Sequence, residues 1–303
     1  MTVPRVIALD VGGTFIKAGV AGPDGSLHNV ERWPTRAELG PEAVLEATLD
    51  RAARLAARYR PAAVGIVVPG VVDEGSGTAV LAANLGWRQV PVRKTFAERL
   101  RLPVAVSHDV RAGGVAEARV GAGRDSRAFL FVPVGTGIAA AVMVDGEPLP
   151  GTHHRAGELG HLVIRPGGPQ CPCGARGCLE TIASATAVAR RYAEATGQSG
   201  VTAKDVAARV ATGDPTAVRV WHEAVEALAD GLASAIALFD PERVVIGGGL
   251  ARASEAYLAP VRSAVRARLG LSTEPCIVPA RLGDDAGCQG AAFLAHDLLG
   301  RAA

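Results

Sequence analysis

The sequence predicts an α/β protein of two domains, and three observations carry that reading. At 303 residues the chain is long for one hydrophobic core and comfortable for two. Apolar runs of strand length alternate with segments whose apolar positions recur at helical spacing. Strand–strand–helix units occur twice, once on each side of residue 120. No apolar run approaches the ~20 residues that span a bilayer, so no membrane partner is expected. The net charge is only +2 and the arginines are scattered along helical faces, which leaves no electrostatic footprint for nucleic acid.

From the N-terminus, residues 6–10 form a short apolar strand that ends in an acid and a Gly-Gly turn, and 15–21 form a second. Pro23-Asp24-Gly25 is a hairpin turn into a third strand. Over 41–59, Val44, Leu45, Leu49, Ala52, Leu55 and Ala56 fall on one helical face. A buried strand at 63–68 is stopped by Pro69-Gly70, a helix covers 92–100, and a strand at 104–107 runs into His108-Asp109. A helix over 111–120 leads to Gly-Ala-Gly-Arg-Asp-Ser at 121–126, taken as the boundary between a first domain (1–120) and a larger second one (121–286). Strands at 128–134 and 138–145 flank the turn Gly135-Thr136-Gly137. Helices are expected near 181–196, 202–212 and 214–239, strands at 243–246 and 276–279, and a last helix from 287.

Between His161 and Glu180 the chain places Cys171, Cys173 and Cys178 in a glycine-rich loop, with His161 ten residues upstream of the first. Three thiolates and an imidazole are the ligand count of a closed, structural tetrahedral Zn²⁺ site. The competing reading is a few buried cysteines beside a surface histidine, but Cys-Pro-Cys-Gly is too turn-rich to pack as core. A disulfide is disfavoured by the odd total of five cysteines and by the lack of an apolar leader ahead of Val3, so a cytoplasmic location is expected. Cys276 and Cys288 read as buried small hydrophobes; His28, His153, His154, His222 and His296 read as loop or surface residues.

Asp10, Gly12, Gly13, Thr14 and Lys17 surround one hairpin turn. Glycines let backbone N–H groups approach an anion, and Thr14 and Lys17 add donors. Asp10 does not favour a bare phosphate, so Mg²⁺ is expected between them, although Asp-x-Gly-Gly is also an ordinary turn. Gly135-Thr136-Gly137-Ile138-Ala139-Ala140 also fits a dinucleotide-binding pattern, but residues 139–148 alternate and turn like a hairpin where that fold needs a helix. No P-loop sequence occurs. The strand that ends in Gly247-Gly248-Gly249 either admits a flat ligand to the backbone or simply starts a helix.

Gly-Glu-Leu-Gly-His at 157–161, with Cys-Pro-Cys-Gly-Ala-Arg-Gly-Cys-Leu-Glu at 171–180, resembles the signature of the ROK family of repressors, open reading frames and sugar kinases. The resemblance covers nearly the whole chain and implies the two-domain actin-like ATPase (ribonuclease H-like) fold with a zinc-binding loop. It implies that residues 10–17 and 135–137 are the two phosphate loops for ATP, that 247–249 is the adenosine turn, and that the last helix (287–303) packs back on the first domain. Leu-Gly-Asp-Asp-Ala-Gly at 282–287 resembles the family's C-terminal segment, where Asn-Asp-Ala-Gly is more usual.

By the same resemblance Gly70, His108, Asp109, Glu158, His161 and Glu180 match positions that bind hexose hydroxyls, with sugar between the domains and ATP on the larger one. Asp109 is the candidate general base, for which a carboxylate of ordinary pKa (~3.9) suffices; an Asp there can equally be a helix N-cap. His161 would bind Zn²⁺ through one ring nitrogen and face the sugar with the other. The expected activity is phosphorylation of a hexose 6-hydroxyl, as in glucokinases. His108 stands where those usually carry Asn, which keeps 3-amino-3-deoxyglucose (kanosamine) or an N-acetylhexosamine open as substrate. A non-enzymatic sugar sensor or a repressor is the other class. A repressor would need a helix-turn-helix ahead of Asp10, and a sensor has no need of both Asp10 and Asp109. The family's usual homodimer or homotetramer is expected.

Overall fold

The computed structural model describes residues 4–251 and 255–302. The chain forms two compact units, Met1–Arg119 with Pro150–Arg155 and Asp284–Ala303, and Val120–Leu149 with Ala156–Gly283. Residues 150–155, expected in the second domain, group with the first unit, as do 284–286.

In the first unit β1 (Val6–Val11) pairs antiparallel with β2 (Phe15–Ala21), and β2 with β3 (Leu27–Pro34). Helix α1 (Pro41–Tyr59) starts at a proline, which lacks the N–H a first turn leaves unsatisfied, and buries Val44, Leu49, Ala52 and Leu55 along one face. Strand β4 (Ala63–Val68) then pairs parallel with β1. Three short strands, β5 (Val71–Asp73), β6 (Thr78–Ala82) and β7 (Trp87–Val90), form a separate antiparallel sheet that the sequence reading missed. Helix α2 (Val92–Leu100) leads to β8 (Val104–His108), parallel to β4, and to α3 (Asp109–Val120).

The second unit opens with β9 (Ala128–Pro133), β10 (Ala141–Val144) and β11 (Glu147–Pro148). The helix expected over 181–196 is two: α4 (Glu180–Ala183) and α5 (Ala185–Thr196). Ser184 separates them because its side chain accepts the Ala187 N–H and starts a new helix. Helices α6 (Ala203–Ala211) and α7 (Pro215–Phe239) begin at capping Thr202 and Asp214. After β12 (Arg243–Gly247) come α8 (Gly248–Ala251), α9 (Glu255–Arg266) and β13 (Cys276–Pro279). Finally α10 (Ala286–Ala302) belongs to the first unit and packs on β1, β4 and β8; residue 303 lies outside the described residues.

The two main sheets share one plan. Their orders are β3-β2-β1-β4-β8 and β11-β10-β9-β12-β13, each an antiparallel trio continued by two parallel strands. Both faces of the first sheet are covered at β1 and β4, so these strands read as nearly continuous apolar runs. Ile7 and Leu9 face the core under α1 and α2, while Val6 and Ala8 join Ala291, Ala292 and Ala295 of α10. In the second unit Leu130, Val132, Val244 and Ile246 pack with Trp221 and Leu228 of α7 and Tyr257 of α9. Cys288 is buried as expected, whereas Cys276 is exposed at the start of edge strand β13. His296, expected at the surface, is half-buried on α10. Among the described residues no helix is long and apolar enough to cross a membrane.

Candidate active site

In open α/β sheets ligands gather beyond the carboxyl ends of the parallel strands, and Asp10, Gly70, His108 and Asp109 in the first unit, and Gly135 to Gly137 and Gly247 in the second, lie at or just past such ends. In the first unit Asp10 lies one residue before the end of β1, and Lys17 sits opposite it on β2. Thr35 holds the turn between them, its Oγ1 donating to Gly12 O at 2.6 Å and its N–H to Thr14 O at 2.9 Å. Lys17 Nζ donates to Asp284 O at 2.6 Å and to Asp285 Oδ1 at 2.8 Å. Gly287, at the start of α10, lies so close that a Cβ there would meet Asp10 Oδ2 at 2.7 Å. Burial, with Asp109 nearby, pushes the Asp10 carboxyl up to about 7; Lys17 opposes this, and Asp284 and Asp285 add to it. The Asp10 carboxyl, beside Asp109, Asp284 and Asp285, offers the kind of oxygen donor that Mg²⁺ takes.

Strand β8 delivers Ser107 and His108, and α3 begins on Asp109. Asp109 Oδ1 accepts the Val110 N–H at 2.7 Å and lies 3.2 Å from His108 Nε2. The His108 side chain is only 11% exposed and that of Asp109 30%. Solvent thus reaches this carboxylate from one side while protein surrounds the rest, and burial raises its pKa to about 6 against the pull of Val110 N–H and Arg111. The ordinary carboxylate value expected from sequence does not hold here, because residues distant in the chain desolvate the group. Gly70 sits at φ 90°, where a Cβ would run into Leu81 O, so the β4–β5 turn alone requires glycine.

In the second unit Gly135, Thr136 and Gly137 form a tight turn, with Gly135 N–H donating to Gly137 O at 2.9 Å and Thr136 exposed. Glu180 Oε2 accepts the Ile138 N–H at 2.9 Å, and a Cβ on Gly137 would collide with the same oxygen. Gly247 ends β12 beside this turn: its carbonyl accepts Val134 N–H at 2.9 Å, and Gly248 and Gly249 begin α8. The triple glycine thus starts a helix next to the 135–137 turn.

The four proposed zinc ligands converge. His161, Cys171, Cys173 and Cys178 bring their ligand atoms within 4.8 Å of one another. Cys171 Sγ is 3.6 Å from His161 Nδ1, and Cys173 Sγ is 3.6 Å from Cys178 Sγ. A tetrahedron with usual Zn–S and Zn–N lengths has edges of roughly 3.6–3.8 Å, so the donors fit this ion. No disulfide forms; all three are free thiols. Burial and the neighbouring sulfurs push the Cys178 thiol up to about 12, which leaves it protonated until a cation displaces the proton. His161 Nε2 points the other way, 3.8 Å from Glu158 Oε2.

The first unit thus holds Asp10, Gly12, Gly13, Thr14, Lys17, Gly70, His108 and Asp109, and the second holds the remaining predicted residues. Sequence reading missed Thr35, Glu74, Arg111 and the pairing of Asp284 and Asp285 with Lys17. Only the last left a signal, in the Asp-Asp-Ala-Gly segment ahead of α10.

The chain is similar to known sugar kinases along nearly its whole length. The chain is 31% identical over 310 residues to a glucokinase of Streptomyces coelicolor, covering 96% of this chain and 97% of that one. It is 35% identical over 297 residues to an N-acetylmannosamine kinase of Escherichia fergusonii, covering 96% and 98%. A ROK family glucokinase from Streptomyces griseus, solved in complex with glucose and AMPPNP, superposes with a TM-score of 0.87 at 31% identity, over 97% and 99% of the two chains. The fold is therefore that of the ROK sugar kinases, the actin-like ATPase fold. With residues 6–298 matching the ROK family, the chain belongs to that family.

Proposed function

We propose that the protein is an ATP-dependent hexose kinase that phosphorylates the 6-hydroxyl of its sugar. The observation that carries this reading is Asp109, a carboxylate open to solvent on one side, fixed by Val110 and His108 and raised in pKa beside Asp10. Its proton affinity suits a general base near neutral pH. Asp109 takes the proton of the 6-hydroxyl as that oxygen bonds to the γ-phosphorus and the bond to the bridging oxygen of ADP breaks. Asp10 would hold Mg²⁺, whose chemistry when bound is to neutralise charge on the phosphoryl oxygens. Thr14, Lys17 and the turns at 135–137 and 247–249 orient the nucleotide, and Glu158, His161 and Glu180 orient the sugar hydroxyls. His161, Cys171, Cys173 and Cys178 would hold Zn²⁺ with four protein ligands, the donor count of a structural site.

A modified hexose is the second reading, and His108 favours it. Its Nε2 faces Asp109, so the imidazole does not offer a donor and an acceptor on one edge as an amide does. One hydrogen bond of ~0.5–1.5 kcal/mol net corresponds to a change of about 2- to 10-fold in relative kcat/KM. Coupled ADP-release assays on glucose, mannose, N-acetylglucosamine, N-acetylmannosamine and 3-amino-3-deoxyglucose are expected to show sugar-dependent turnover. His108→Asn is expected to move the ranking toward glucose by that factor. An unchanged ranking in the variant would remove His108 from specificity, and sugar-independent ADP release would remove the kinase reading.

A further inference from the structure

Beneath the Ser107–Asp109 junction lies an ion pair that takes no part in the proton and phosphoryl transfers proposed for Asp109 and Asp10. Glu74, just past β5, accepts three hydrogen bonds at one oxygen: from Ser107 Oγ at 2.5 Å, from Arg111 Nε at 2.9 Å and from His108 N–H at 3.3 Å. Arg111 is 2% exposed. Its other nitrogens donate to Val72 O at 3.1 Å and to His154 O at 3.3 Å. Ser107, His108 and Arg111, which flank Asp109 in the chain, are thus tied to a single carboxylate. An ion pair with one partner buried and the other partly so is a poor source of stability, since well-packed apolar side chains serve as well or better. What this pair does, and apolar packing would not, is hold a polar turn in one geometry with fixed charges beside it.

We propose that Glu74 and Arg111 position Asp109 for proton abstraction, Glu74 by gripping the backbone ahead of it and Arg111 by anchoring the first turn of its helix to β5 and to the 150–155 segment. The proposal rests on the reading of Asp109 as the base. The charges facing Asp109 are Arg111 on its own helix, His108 at 3.2 Å, and Asp10 on β1, which in turn faces Lys17, Asp284 and Asp285. Burial raises the Glu74 carboxyl, but the Arg111 charge and the hydrogen bonds from Ser107, Arg111 and His108 outweigh it and hold Glu74 below its usual value. Arg111 in turn lowers the proton affinity of Asp109. Removing either partner alone therefore shifts Asp109 in opposite directions.

The test is the pH profile of sugar kcat/KM, with kcat and both KM values, for Arg111→Met, Arg111→Lys, Glu74→Gln and Asp109→Asn. Arg111→Met is expected to lose about 10- to 100-fold in kcat, the scale of a small misplacement of a catalytic group, with KM for ATP changed less than about threefold. Its acid limb moves to higher pH because a positive neighbour is gone. Glu74→Gln keeps the acceptor oxygen and moves the limb to lower pH, because Arg111 is no longer balanced. Arg111→Lys restores the charge but not the fork, so the limb returns toward wild type while kcat stays low. Limbs that do not move, or that move the same way in both charge-removing variants, would overturn the proposal, as would a wild-type kcat in folded Arg111→Met. If Arg111→Met does not fold, the near-isosteric Glu74→Gln and the Arg111→Lys variant decide. Failure of the underlying reading looks different: Asp109→Asn would itself keep its turnover.

Discussion

Asp109→Asn is expected to lower kcat by about 10²- to 10⁴-fold, the usual contribution of a general base. The amide keeps the shape and the acceptor for Val110 N–H but cannot take up a proton from the sugar. Burial raises Asp109 to about 6, so at neutral pH it is mostly ionised yet holds a proton firmly enough to accept one. Since the base works unprotonated, wild-type sugar kcat/KM falls as pH drops through about 6. The same shift has an opposite effect on folding. A carboxyl whose pKa is higher folded than unfolded contributes stability below its unfolded value and loses it as pH rises through the folded one. At pH 7.5 the asparagine variant is therefore expected to melt at or above the wild-type Tm while nearly inactive. Retention of more than about a tenth of wild-type turnover, on a scale where a base supplies at least 10²-fold, would move the base elsewhere.

The metal loop gives the second large effect. Protein purified without added metal is expected to hold close to one Zn²⁺ per chain, and Cys173→Ser to lose metal, thermal stability and activity together. Structural zinc binding is worth roughly 10–16 kcal/mol in isolated zinc-binding peptides, far more than the turns of a short loop supply. The backbone bonds that hold 161–178 are local, among them the Val163–Cys178 and Gln170–Arg176 bridges and the tight turns at Gly168 and Gly174. Losing the ion frees His161 Nδ1, and Nε2 then loses its aim beside Glu158. KM for sugar is therefore expected to rise before KM for ATP during slow chelation. Because Cys178 takes up a proton when the metal leaves, retention weakens as pH falls. Elemental analysis beside activity decides, and a metal-free, fully active preparation would contradict the assignment.

Much of the fold and of the candidate site was legible in the sequence, for identifiable reasons. Strands that end in Asp10-Val11-Gly12-Gly13, Pro69-Gly70, His108-Asp109 and Gly247-Gly248-Gly249 announce themselves, because turn chemistry interrupts an apolar run at the edge where ligands bind. The proposed zinc ligands, His161, Cys171, Cys173 and Cys178, lie close together in sequence and stand out by residue type and spacing. What escaped depends on long-range contact. The sheet of β5, β6 and β7 is built from strands of three to five residues without clear alternation. Helix α9 carries Pro260 in its interior, which reads as a break. Lys17 stands out among few lysines, but its partners Asp284 and Asp285 lie more than 260 residues away. Arg111 looks like any of the scattered arginines until the fold buries it against Glu74. The raised pKa of Asp109 belongs to its surroundings rather than to its neighbours in the chain.

Phosphoryl transfer from ATP to a hexose 6-hydroxyl is tested most directly by its product. Purified protein incubated with ATP, Mg²⁺ and glucose, or whichever sugar gives the fastest ADP release, is followed by phosphorus NMR. The expected result is a phosphomonoester whose phosphorus couples to the two C6 methylene protons, formed in step with ADP. Inorganic phosphate in place of the ester, or ATP left unchanged with every sugar, would contradict it.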